Sequence, residues 1–340
     1  MVTILGLETE NQEIEKEIRE TAKKLLVEKQ VDVIIGYTTS TIPLSNSPIM
    51  IRKEDDVDKL IWNNFCYINL AKYLVPQIPQ LKGPEGTPLK IGVISKGCVG
   101  RALIHLAVEK QLNLENIKII GIPCNGIINR NRLKKEIGEK EILEVSVLDN
   151  NIVVKGNNFE ESFPFEEYIN ELCKYCKVKA PPSVHEACIG ECQDISAVED
   201  DFTDLSEFEA KSPEEKWKHI VDILGSCTKC YACREACPMC YCHLCFVDQN
   251  KPVWFGKTMD LPDIISFHLV RAFHLAGRCV ACGACSSVCP MGIDLNMITR
   301  KLEKIVKGRF DFTSGLDTET LLPMMSFSMD DKEEFMLEED

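Results

Sequence analysis

Cysteine is the residue type that can do chemistry in this chain. Cys227, Cys230, Cys233 and Cys237 stand at gaps of two, two and three residues, and Pro238 follows. Cys279, Cys282, Cys285 and Cys289 repeat that spacing, and Pro290 follows. Thiolates are soft ligands that suit iron and sulfide. A doubled run of this kind holds two 4Fe–4S clusters, with the fourth cysteine of each run crossing to the other cluster. The spacing therefore predicts one cluster on Cys227, Cys230, Cys233 and Cys289. It predicts a second on Cys279, Cys282, Cys285 and Cys237. Zinc also binds Cys-x-x-Cys pairs, but zinc pairs do not usually come as three cysteines plus Cys-Pro, repeated.

The remaining cysteines are less determined. Cys173, Cys176, Cys188 and Cys192 form Cys-x-x-Cys followed by Cys-x-x-x-Cys, which suits a local cluster, a zinc site or no metal. Cys240, Cys242 and Cys245 lie between the two runs, number only three and need a distant fourth ligand. Cys66 sits among apolar residues and reads as a small buried hydrophobe. His105, His268 and His274 read as structural, whereas His243 could tune or ligate a neighbouring cluster. Trp217, Trp254 and the phenylalanines near the clusters read as shields against water.

Composition limits what surrounds these thiols. The chain has 340 residues, enough for two domains, and 18 cysteines. Met1 to Leu7 has no basic flank and runs into Glu8 and Glu10, unlike an export signal. A reducing, cytoplasmic compartment is expected, where clustered thiols bind metals. No apolar run approaches the roughly 20 residues of a membrane span. The net charge of −14 disfavours nucleic acid, which needs a basic patch. The acid gathers in Glu199–Glu209 and Asp330–Asp340, which read as a solvated linker and tail, or as a docking surface for a basic partner.

The elements that must position the cysteines follow from periodicity. Residues 11–29 carry Ile14, Ile18, Ala22, Leu25 and Leu26 at helical spacing. Strands are expected at Val31–Gly36, Leu89–Ser95 and Ile117–Ile122. Helices are expected at residues 56–75, through about Lys110 after Cys98, from Glu167 to Cys176, at 213–224, at 263–276 and at 295–306. Residues 140–155 alternate around Asp149-Asn150-Asn151, a hairpin pattern. The alternation before residue 130 predicts an α/β domain with a partly parallel sheet. Two of its strands run into Cys98 and Cys124, and strand carboxyl ends are where ligands bind in open α/β sheets. Neither Gly-x-Gly-x-x-Gly after a strand nor a phosphate-binding Gly-x-x-x-x-Gly-Lys-Ser/Thr occurs, so nucleotide readings lack local support.

Ser95-Lys96-Gly97-Cys98 and Ile119-Ile120-Gly121-Ile122-Pro123-Cys124-Asn125-Gly126 resemble the beta-subunit family of deazaflavin-coenzyme (F420) reducing hydrogenases and formate dehydrogenases. Cys173-Lys174-Tyr175-Cys176 followed by Ile189-Gly190-Glu191 is similar to that family's downstream segment. Lys229-Cys230-Tyr231-Ala232-Cys233-Arg234, Pro238-Met239-Cys240-Tyr241-Cys242 and Arg278-Cys279-Val280-Ala281-Cys282-Gly283 resemble the form fused to a bacterial-type two-cluster ferredoxin, found in formate dehydrogenases. The likeness spans residues 85–305. It implies one 4Fe–4S cluster on Cys98, Cys124, Cys173 and Cys176. That frees Cys188 or Cys192 to complete a fourth cluster with Cys240, Cys242 and Cys245. It also implies FAD, although the relatives' glycine-rich N-terminal stretch is not found here.

The expected organisation is an α/β domain over residues 1–195 with one cluster, an acidic linker over 196–212, an α+β, helix-flanked dicluster ferredoxin-like domain over 213–310 and an acidic tail over 311–340. The expected function is that of an iron–sulfur electron-transfer subunit with three to four 4Fe–4S clusters. It would work between a formate dehydrogenase or hydrogenase and a heterodisulfide-reductase-like or flavin-bifurcating partner. The alternative is a flavin-containing reductase acting on a nicotinamide or deazaflavin coenzyme. A zinc-stabilised interaction protein is the third reading.

Overall fold

The structure is a computed structural model that describes residues 3–4, 10–75, 87–182, 187–190, 192 and 200–325. Part of the acidic linker and the acidic tail from Asp330 lie outside the described residues. The strands are β1 (Thr3–Ile4), β2 (Val33–Thr39), β3 (Asn46–Ile51), β4 (Ile91–Ser95), β5 (Ile117–Gly121), β6 (Ile142–Leu148), β7 (Asn151–Gly156), β8 (Glu160–Pro164) and β9 (Ala187–Cys188). The helices are α1 (Glu10–Val27), α2 (Gly97–Val108), α3 (Arg130–Ile137), α4 (Phe165–Tyr168), α5 (Glu171–Tyr175) and α6 (Ser206–Glu209). They continue with α7 (Pro213–Leu224), α8 (Ala232–Glu235), α9 (Leu261–His274), α10 (Ala284–Ser287) and α11 (Asn296–Phe310).

The main sheet has the order β3-β2-β4-β5-β9. Strands β2, β4, β5 and β9 run parallel, and β3 is the antiparallel edge. Its central strand β4 is buried throughout, as expected where a parallel sheet is covered on both faces. Helix α1 buries Ile18, Ala22 and Leu25 against this core, the stripe its periodicity announced. The second sheet, β1-β6-β7-β8, is antiparallel from β6 to β8. Asp149 and Asn150 turn its β6–β7 hairpin with φ of 45° and 60°, left-handed values that short polar residues tolerate.

Residues 56–75 do not form the expected helix. Short 3-10 turns at Glu54–Lys59 and Leu70–Leu74 bracket an irregular stretch. The reason is the asparagines. Asn63 Oδ1 accepts from Phe65 N at 3.0 Å, and Asn69 Oδ1 from Ala71 N at 3.1 Å, so side chains compete with the helical ladder. The helix expected over Glu167–Cys176 is broken into α4 and α5 for the same reason, with Asn170 capping α5 through Leu172 N.

Among the described residues after Cys192 there are helices and turns and no strand. Helix α7 starts with Pro213 behind a Ser212–Glu215 capping box. The acidic stretch before it is not simply solvated. Arg300 of α11 binds Asp200 at 2.8 Å and Asp204 at 2.9 Å, and lies 4.5 Å from the Phe202 ring centroid. Glu209 meets Lys301 and Lys304. These contacts strap residues 200–209 onto α11.

Candidate metal centres

The parallel pairing of β4 with β5 sets Ser95 opposite Gly121. The loops that leave these neighbouring strands therefore carry Cys98 and Cys124 at one edge of the sheet. Cys98 lies in the first turn of α2, whose N-terminus favours negative charge. The 169–182 segment comes alongside. Asn170 N donates to Ile127 O at 2.6 Å, and Cys124 N donates to Lys179 O at 2.9 Å. Close approach depends on glycine at two points. A Cβ on Gly97 would lie 2.0 Å from Val178 O, and Gly126, at φ +113°, would set one 2.2 Å from Ile169 Cδ1.

The result brings Cys98, Cys124, Cys173 and Cys176 together. Burial pushes the Cys98 thiol well above its ordinary value, and the Cys282, Cys124 and Cys176 charges add to this. Burial, then Cys124 and Cys176 among the charges, raises Cys173 to about 12. Burial raises Cys124 as well, with Cys176 adding to it. Iron binding removes such protons, since thiolates are the ligands. Lys96, 1% exposed, is a buried cation of this region. Its Nζ donates to Cys66 O and lies 5.8 Å from the Tyr37 ring centroid. Its charge lowers the pKa of both Cys98 and Cys124. Cys66 itself is fully buried, as its apolar setting predicted.

The doubled cysteine run folds as a doubled backbone. Lys229 and Ala281 occupy equivalent positions, both at φ 50°, and Tyr231 and Gly283 follow at 61° and 68°. Lys229 N donates to Cys227 Sγ and Ala281 N to Cys279 Sγ, each at 3.4 Å. Short helices α8 and α10 then begin at matching places, and they pack on one another. The structure sets Cys289 and Cys230 beside Cys227 and Cys233. It sets Cys237 beside Cys279, Cys282 and Cys285.

The three thiol groups adjoin in a fixed order. Fully buried Asn69 links the first two, donating from Nδ2 to Cys98 O at 3.1 Å and lying beside the Cys282 thiol, whose pKa it lowers. Arg271, 5% exposed, links the last two: it donates to Cys233 O at 3.0 Å, and its charge reaches Cys237, Cys240, Cys285 and Cys233. The last group ends at Cys230, which is exposed. His268 was read as structural, yet its Nε2 lies 3.3 Å from Cys227 Sγ. Burial, with Arg271 beside it, lowers its imidazole to about 4. Asn69, Arg271 and His268 carry no motif, because each reaches its thiol across the fold.

The other cysteines are placed differently. Cys188 and Cys192 form a disulfide, so in this state neither offers a free thiolate to Cys240, Cys242 and Cys245. Those three line a cavity of about 600 Å³ with His243, Lys72, Arg234 and Arg278. Cys242 is exposed. Among the described residues, no three His, Cys, Asp or Glu side chains close on one ion-sized point.

No family model matches the chain. It is 23% identical to the F420-dependent formate dehydrogenase subunit beta of Methanocaldococcus jannaschii over 356 aligned positions, which cover 87% of this chain and 90% of that one. It is 25% identical to the F420-dependent formate dehydrogenase 1 subunit beta of Methanococcus maripaludis, covering 68% of this chain and 74% of the relative. A chain of the F420-reducing [NiFe] hydrogenase complex from Methanosarcina barkeri gives a TM-score of 0.33 at 17% identity, over 49% of this chain and 62% of that one, too loose a likeness to build on. With the motifs on Cys98, Cys124 and the doubled cysteine run, the chain is similar over most of its length to the beta subunits of F420-dependent formate dehydrogenases.

Proposed function

We propose that the chain is an iron–sulfur electron-transfer subunit of an oxidoreductase complex, carrying three 4Fe–4S clusters. The observation that carries this is the contact order of the thiol groups. Cys98, Cys124, Cys173 and Cys176 adjoin Cys237, Cys279, Cys282 and Cys285, which adjoin Cys227, Cys230, Cys233 and Cys289. Each group offers four thiols, the donor set a 4Fe–4S cluster takes. Bound there, clusters pass single electrons from one group to the next. The chain's own part is to hold and tune them. Lys96 and Arg271 place positive charge beside the thiolates. Lys229 N, Ala281 N and His268 supply hydrogen bonds to sulfur, a recognised control on potential. Asn69 keeps the first two groups in register. The exposed edge at Cys230 is the exit.

The partners in this reading are a formate dehydrogenase or hydrogenase subunit on one side and a heterodisulfide-reductase-like or flavin-bifurcating subunit on the other. Relatives named as formate dehydrogenase subunits support the first. The compartment is cytoplasmic; no helix among the described residues is long and apolar enough to cross a membrane. Iron and acid-labile sulfide in anaerobically prepared protein test the count, with about 12 irons per chain expected. Cys98→Ser should remove about four of them and leave the doubled run loaded. Full iron in that variant refutes the split site.

A second reading has a specific observation behind it. A cavity of about 670 Å³ borders Cys173, with Asn64, Asn125, Lys174 and Lys179 among its lining residues. It is of a size that accepts a flavin ring system. In this reading the chain binds FAD there and exchanges hydride with a deazaflavin coenzyme, the one in the relatives' names. Stoichiometric FAD, bleached by the reduced coenzyme without any partner, would establish it over the pure relay.

A further inference from the structure

We propose that Cys240 is a reserve ligand for the metal centre on Cys237, Cys279, Cys282 and Cys285. The inference rests on the reading of that centre as a 4Fe–4S site. Spacing groups Cys240 with Cys242 and Cys245, and all three line one cavity, but they pack differently. Cys240 packs against the same apolar core as Cys237, Cys279 and Cys282. Cys245 packs with Cys227, Cys285 and Cys289, and Cys242 is exposed. Pro238 turns the chain so that Cys240 N donates to Cys237 O at 3.2 Å. The two buried thiols then lie beside each other.

The surroundings treat the pair as one position. Arg271 directs its charge at both sulfurs, and its buried Nε has no hydrogen-bond partner among the described residues. Lys72 Nζ holds the Cys240 backbone through its carbonyl at 2.8 Å. A cluster corner takes one thiolate, so two thiols stand at a corner that needs one. With Cys237 holding iron, the Cys240 S–H would donate to the bound sulfur. Exchange would break the Cys237 sulfur–iron bond as the Cys240 bond formed, with the proton crossing from Cys240 to Cys237. No electron moves. Cys240 also lines the cavity of about 600 Å³, so its side chain can rotate without displacing packed core.

The test uses full-length Cys237→Ala, Cys240→Ala, the double variant and Cys279→Ala, all prepared anaerobically. Readouts are iron and sulfide per chain and the electron paramagnetic resonance spectrum of the reduced protein. Each variant at Cys237 or Cys240 alone should keep wild-type iron, with a changed spectrum for Cys237→Ala. The double variant should lose iron from this centre, up to about four atoms per chain. A Cys237→Ala chain that loses as much iron as the double variant overturns the proposal. Should Cys237→Ala not fold, Cys240→Ala decides: a lowered midpoint potential supports the thiol–sulfur contact, and an unchanged potential with an unchanged spectrum overturns it. Full iron in Cys279→Ala would instead remove the centre itself, a separate failure.

Discussion

Glu109→Gln should loosen the join between the sheet domain and the second cysteine run. Glu109 ends α2, and its carboxylate meets Arg278, next to Cys279, with Oε2 accepting from Nη2 at 2.9 Å. Tyr241, between Cys240 and Cys242, donates to the same oxygen at 2.7 Å. Burial alone would raise this carboxyl, but His105, with Nε2 3.4 Å from Oε1, and the hydrogen-bonded Arg278 bring it to about 2 from 4.5. A depression of that size corresponds to about 3 kcal/mol before solvent screening and about 2 after it. The sign is that of a depressed carboxylate. Its contribution is complete above the ordinary carboxyl pKa and is lost as pH falls from about 4.5 toward 2. At pH 7 the wild type has all of it, and glutamine removes it while keeping the shape. Anaerobic urea unfolding at pH 7, followed by circular dichroism, should show a midpoint lower by roughly 1 M. A shift under about 0.2 M, or Arg278→Met and Glu109→Gln effects that simply add in the double variant, would refute the coupling.

Gly97→Ala puts a Cβ 2.0 Å from Val178 O, so the Cys173–Cys176 segment must back away; iron should fall by about four atoms per chain, and full iron counts against the packing argument. His268→Phe removes the contact to Cys227 Sγ, which should lower that cluster's potential by about 40 mV if the bond contributes ~1 kcal/mol; spectroelectrochemical titration reads it, and an unshifted couple rejects it. Arg300→Met leaves Asp204 without its partner in a buried network, a loss of about 3–5 kcal/mol in anaerobic denaturant unfolding; stability within about 0.5 kcal/mol of wild type would show that the 200–209 strap is idle.

Local patterns were legible wherever a segment met its own needs. The doubled cysteine spacing announced a doubled backbone, down to left-handed residues at matching places. The strands ahead of Cys98 and Cys124 were plain from their β-branched runs, and the Asp149–Asn150 turn from its residue types. Residues 56–75 misled, because apolar spacing favoured a helix while Asn63 and Asn69 spent their side chains on nearby backbone. The acidic stretch before α7 misled through composition, because its cationic partners lie about 100 residues on, in α11.

Sequence alone determined the chemistry, because thiols at fixed short gaps can be counted without knowing the fold. Tertiary structure decided which thiols keep company. The register of β4 with β5 sets Cys98 against Cys124, and two glycines admit Cys173 and Cys176. Packing sets Cys240 against the core that Cys237 also packs on, and it closes Cys188 on Cys192. Asn69, Arg271 and His268 took their places beside sulfur the same way. The physical reason is common to all of them: a short-range contact between residues distant in the chain has no period or spacing, and exists only once the chain is folded.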